Sequence, residues 1–258
     1  MRLKIPINLL LIASLCSCYS TKQYISKIDA YDFNDNLAVL QPTPVVEAIA
    51  DDILPAAHPS NPNIILYVSS SKGNMDIYKK DIASQKVWEL TTHPADDTEP
   101  AYSPNGKMIA WTSQKADVKG DIWVMDADGK SPQQLTHRKF AEYSPVWDPQ
   151  GEHIYFVSQR SSKSGQSIER INIKTRQREV IIESGWSPAL MSAKPVLIYL
   201  KETPNHYPKV VAHNLVNKEE RELSAGNFFD AYLRIIKQGS TEHLIFSRNV
   251  DDHNGDGR

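Results

Sequence analysis

The sequence predicts an all-β fold, a β-propeller of four-stranded blades, and three observations carry that expectation. SPNGKMIAWTS from Ser103 and DPQGEHIYFVS from Asp148 superimpose without a gap at an offset of 45 residues, a period that suits a propeller blade. Pro100 and Pro145, Tyr102 and Trp147, Trp111 and Phe156, and Ser113 and Ser158 keep the same offset. Within each repeat, turn residues divide the chain into four short apolar stretches, the content of one blade. Weaker copies flank the pair: Asp51 to Pro55 precedes Asp96 to Pro100 by one period, and Asp76-Ile77-Tyr78 precedes Asp121-Ile122-Trp123 by one.

Residues 1–17 stand apart from this pattern. Arg2 and Lys4 precede an apolar run from Ile5 to Leu15, too short to span a bilayer and arranged as an export signal. Its end, Leu15-Cys16-Ser17-Cys18, resembles the lipobox of bacterial lipoproteins: an aliphatic residue, a small residue just before the cleavage point, then the cysteine that takes lipid. The resemblance implies Cys18 as the lipidated residue, with Cys16 in an unusual place for that pattern. The chain has 2 cysteines, so the mature protein would carry Cys18 alone and no disulfide framework. The membrane would then be reached only through a lipid anchor.

Residues 18–50 show no clean period and read as a tether, or as a segment that supplies a closing strand; Val45 to Ile49 is short and apolar enough for that. The propeller proper is expected over 51–258. In its clearest blade, Pro100 to Ser103 is an inner strand and Asn105-Gly106 a tight turn. Lys107 to Ser113 is apolar on both faces, as a strand between two packed blades should be. Asp121 to Asp126 is the third strand and Lys130 to Thr136 the outer one. The next blade repeats this through Ser144 to Trp147, Ile154 to Ser158, Ile168 to Ile173 and Glu179 to Ile182. A fourth opens at Trp186-Ser187-Pro188, and a fifth begins near Asp230 with a strand over Leu244 to Ser247. About four and a half blades are visible, which predicts an incomplete propeller and a fragment of a longer chain.

The words SPNG, DIWVMDADG and SPVWDPQG resemble the WD-type repeats of the TolB-like β-propeller family over roughly residues 51 to 250. That family carries an α/β domain ahead of its propeller, and the segment before Asp51 is too short to hold one. The resemblance implies an exported, non-enzymatic scaffold that binds envelope proteins or peptides. Alternatives are the accessory propeller of an exported prolyl-oligopeptidase-like peptidase, and a surface lectin or adhesin.

Composition agrees with a folded domain: 40% hydrophobic and 23% charged residues, with a formal net charge of −2. That balance offers no basic surface for nucleic acid, so no nucleic-acid partner is expected. Gly185-Trp186-Ser187-Pro188-Ala189 has the first half of a nucleophile elbow but lacks its second glycine, and Ser187 aligns with Ser144 of an inner strand, so no catalytic residue is assigned. Asp252-His253-Asn254-Gly255-Asp256-Gly257 matches the opening of a calcium loop, with Asp252, Asn254 and Asp256 as oxygen ligands for Ca2+. Asp97, Glu99, Glu142 and Asp230 recur just before the inner strands. They either ring the mouth of the central channel as a docking site or hydrogen-bond neighbouring turns. The aromatic residues at repeat positions, among them Trp111, Trp123, Trp147 and Phe156, are expected to pack blade against blade. His153 and His243, at equivalent positions, are expected to be structural.

Overall fold

The computed structural model describes residues 22–27, 52–161, 165–204, 207–224, 229–238 and 241–249. Strand β1 (Lys22–Lys27) precedes four complete blades. They are β2 (Asp52–Ala57), β3 (Ile64–Ser69), β4 (Asp76–Asp81) and β5 (Val87–Glu89); β6 (Asp97–Tyr102), β7 (Met108–Ser113), β8 (Asp121–Asp126) and β9 (Gln133–Gln134); β10 (Glu142–Trp147), β11 (His153–Ser161), β12 (Gly165–Asn172) and β13 (Arg178–Ile182); and β14 (Trp186–Leu190), β15 (Val196–Lys201), β16 (Lys209–Asn214) and β17 (Glu220–Glu222). Each is a four-stranded antiparallel meander in chain order. The fifth sheet is the hairpin β18 (Phe229–Gln238) and β19 (Thr241–Asn249) with β1 added outside β19. The strand that extends the last blade is thus Lys22–Lys27, from within the segment read as tether or closing strand. Val45 to Ile49 lies outside the described residues.

Blades stack because their middle strands are apolar on both faces. Leu66, Val68 and Ile77 of the first blade meet Ile109, Trp111 and Met125 of the second. Ala110, Ile122 and Val124 meet Trp147, Ile154 and Phe156 of the third. Tyr155 and Ile168 meet Leu197, Tyr199 and Val211 of the fourth, and Ile198, Leu200 and Val210 meet Leu233, Leu244 and Phe246 of the fifth. The repeated aromatics are therefore buried joints, with Trp111 donating to Asp97 at 2.9 Å and Trp147 to the Ala101 carbonyl of the neighbouring blade at 3.1 Å. Inner strands β2, β6, β10, β14 and β18 pack each on the next, and this succession does not return from the fifth blade to the first by any contact of similar extent. Among the described residues the molecule is an incomplete propeller around an axis open on one side.

One backbone device recurs in every inner strand. Pairing with the second strand slips between Ile53 and Ala56, Thr98 and Ala101, Tyr143 and Val146, Trp186 and Ala189, and Ala231 and Arg234. Inside each slip one residue is left-handed: Leu54 (φ 50°), Glu99 (53°), Ser144 (55°), Ser187 (54°) and Tyr232 (54°). These are β-bulges, which bend a strand and re-aim its side chains. A non-glycine residue held there costs on the order of 1–3 kcal/mol, so the surrounding blade must enforce it.

Candidate functional site

The bulge brings Glu99 into reach of a second blade. Its carboxylate accepts from Thr112 Oγ1 at 2.9 Å within its own sheet. From the third blade it accepts from the Ser144 backbone N–H at 2.7 Å and Ser144 Oγ at 2.8 Å. Ser144 is the left-handed residue of its own strand, so one bulge is tied to the next.

Asp97, Glu142 and Asp230, expected either at the channel mouth or in hydrogen bonds to neighbouring turns, are 3%, 0% and 0% exposed. Asp97 accepts from the Trp111 indole, and burial holds its carboxyl above the usual range. Glu142 pairs with Arg178 at 2.5 Å. Arg178 also pairs with Glu169, donates to Ser158 Oγ at 3.2 Å and lies 4.8 Å from the centre of the Phe156 ring. Arg160 completes the group with a 2.9 Å contact to Glu169. Burial raises the Glu169 carboxyl, but the bonds from Arg178 and Arg160 outweigh it and the net direction is downward. Of the four acidic positions, Glu99 alone is partly exposed.

A second acid faces this joint. Asp121 opens β8, is 1% exposed, and is pushed up to about 6, chiefly by burial and then by the charge of Glu142. Its Oδ2 accepts from Gln134 Nε2 at 3.1 Å.

The fifth blade departs from the others two residues beyond its left-handed position. Where they carry Ala56, Ala101, Val146 and Ala189, it carries Arg234. Arg234 is exposed; desolvation lowers its pKa, opposed by the charge of Glu99. A residue of the second blade and one of the fifth sense each other only if both approach the axis. Arg234 donates to the Leu233 carbonyl at 2.8 Å, and among the described residues no carboxylate contacts it. Beside it Tyr232 is 70% exposed. The axis thus presents Glu99, a guanidinium without a contacting carboxylate and an accessible aromatic ring. The signal for Arg234 and Tyr232 was present in the sequence as a break in the aligned repeat, and the acidic residues drew attention away from it.

His153 bonds Asp148 at 2.9 Å and Asn172 at 3.3 Å and fixes the turn into β11. Ser187 lies on the β14 bulge. Among the described residues no group of three or more His, Cys, Asp or Glu side chains could hold a metal ion. Cys18, Asp252, Asn254 and Asp256 lie outside the described residues.

The fold and the axial arrangement define a β-propeller whose distinctive side chains gather on its inner strands. The family model for the Tricorn protease N-terminal beta propeller domain matches residues 67–209, more than half of the chain, and the chain belongs to that family. Its fold is also similar to that of TolB. TolB from Acinetobacter baumannii superimposes with a TM-score of 0.64 at 16% identity, over 81% of this chain and 57% of that one. A nidogen/laminin complex gives a TM-score of 0.56 at 14% identity, covering 74% of this chain and 70% of that one. An oligogalacturonate lyase from Vibrio parahaemolyticus gives 0.56 at 13% identity, covering 80% and 68%. These likenesses concern the fold, and the chain spans 57% of the TolB chain it matches. No curated protein sequence matches it significantly.

Proposed function

We propose that this chain is a non-enzymatic scaffold of the bacterial envelope that holds a partner polypeptide along the propeller axis. The observation that carries the reading is Arg234. An exposed guanidinium on the inner strand without a contacting carboxylate is available to pair with an anionic or carbonyl group of a ligand. Tyr232 gives such a partner an amphipathic ring to lie against. The nidogen/laminin likeness supports a binding role, since that structure is a protein–protein complex, although the lyase shows that the fold also hosts enzymes. The alternative reading, the accessory propeller of an exported peptidase, needs a catalytic domain outside this chain, and Ser187, an inner-strand bulge residue, does not supply a nucleophile for it.

The test is a photo-crosslinking side chain at position 232 in the native host. A discrete crosslinked partner that disappears in an Arg234→Glu background supports the scaffold. Identical products from position 216, where Val216 is 75% exposed on the fourth blade, would refute it.

Two subsidiary proposals concern the ends of the chain. Cys18 carries the lipid, and labelling with an alkyne fatty acid that persists in Cys18→Ala overturns this. Asp252, Asn254 and Asp256 bind Ca2+ weakly, having three of the six or more oxygens the ion prefers. Calorimetry that gives the same heat for the chain and for Asp252→Asn with Asp256→Asn overturns that.

A further inference from the structure

Away from the axis, a shallow cleft opens at the outer rim between the second and third blades. Leu135 and Ile171 contribute apolar lining, and His137, Arg138, Arg176 and Arg178 gather around them. No carboxylate lines it.

The chain builds this cleft from two fixed segments. Thr136 Oγ1 accepts from the Ile122 N–H at 2.9 Å and pins the end of the second blade, from which His137 and Arg138 project. Arg176 sits in the turn between β12 and β13 with φ 62° and reaches across the blade boundary. It donates to Gln133 Oε1 at 3.3 Å and to the Gln134 carbonyl at 3.5 Å, both neutral acceptors. Arg178 enters from β13 already compensated by Glu142 and Glu169, which are buried and absent from the lining. Arg138 is exposed and has no partner among the described residues. Two full positive charges therefore face one small cleft with nothing negative opposite.

We propose that this cleft is a binding site for an oxyanion, a carboxylate or phosphate group carried on a ligand, with the buried Leu135 and Ile171 as its floor. Planar guanidinium forks match both groups in geometry, and the one already fixed by Glu142 and Glu169 provides a rigid wall. This assignment is independent of the axial reading, since the two sites share no residue.

The experiment is isothermal titration of the chain with citrate and, separately, with inorganic pyrophosphate, at low and at physiological salt. Arg138→Ala with Arg176→Ala is compared with Lys218→Ala with Arg221→Ala, an equal loss of exposed charge on the fourth blade. The cleft variant is expected to bind about tenfold more weakly while the control binds as the parent does. Preference for citrate identifies a carboxylate ligand and preference for pyrophosphate a phosphate one. Absence of binding by both probes, or equal weakening in the two variants, overturns the proposal. Matched melting midpoints show that the variants are folded.

Discussion

Replacing Arg178 by Met tests whether the charged joint between the second and third blades is held by its pairing. The change removes the 2.5 Å contact to Glu142, the contact to Glu169 and the bond to Ser158. Glu169 keeps Arg160. Glu142, wholly buried and already pushing Asp121 upward, is left without a counter-charge. Breaking a buried pair from one side costs about 3–5 kcal/mol. At roughly 2–4 °C per kcal/mol for a protein of this size, the melting midpoint should fall by roughly 6–20 °C. The loss should depend on pH in a defined direction. The penalty comes from a buried charge left without a partner, so it should lessen at low pH, where a carboxylate is neutral. Scanning calorimetry at pH 8 and pH 5 reads both effects. A shift below about 1 kcal/mol, or one equal at the two pH values, would show that Arg178 acts through its stem and the Phe156 contact rather than through charge.

Other consequences follow from the same geometry. Glu99→Ala removes three bonds and leaves the Ser144 N–H unpaired, with an expected cost of about 2–4 kcal/mol; urea midpoints equal to the parent's would dissolve the bulge-to-bulge clamp. Asp121→Asn should stabilise the protein above pH 7 by at most about 3 kcal/mol, because the parent's folded pKa of about 6 against a usual 3.8 is a penalty that grows as pH rises through that interval. The gain should fade by pH 4, and a gain independent of pH would contradict its origin in ionisation. Gly185→Ala places a Cβ 2.5 Å from Tyr199 Cδ2 and 3.1 Å from the Leu200 carbonyl, an overpacking cost of about 1–3 kcal/mol; melting unchanged would show that Tyr199 gives way freely. Arg234→Ala restores the small residue of the other blades and should raise the melting midpoint modestly, whereas a lower midpoint would mark Arg234 as a structural partner of Glu99.

The blade plan was legible because a meander buries both faces of its middle strands, and a two-sided apolar run such as Met108 to Ser113 between turn residues leaves few alternatives. The outer strands were harder to bound. Lys130 to Thr136 contains only Gln133 and Gln134 in ladder pairing, and Thr136 instead caps the Ile122 amide with its side chain. The bulges were invisible for a different reason: Leu54, Glu99, Ser144, Ser187 and Tyr232 share a backbone conformation but no chemistry, so nothing at those positions announces a left-handed φ. The acidic residues were visible as a recurrence, and recurrence alone could not separate docking from hydrogen bonding. Burial made that separation, because Asp97 and Glu142 face blade interiors while Glu99, two residues beyond Asp97, is turned by the bulge toward its neighbour.

That distinction points to where chemistry resides in such a scaffold. What repeats, above all the left-handed residue and in most blades the proline after it, is what a blade needs in order to pack on the next. What departs is free of that duty. Arg234 replaces a small residue and Leu233 a proline in the last inner strand, which, like β2, packs on a single neighbouring inner strand among the described residues. An alanine there would serve packing at lower cost, since it brings no charge to desolvate. Packing therefore does not require the guanidinium, which leaves it for the axial contact proposed above.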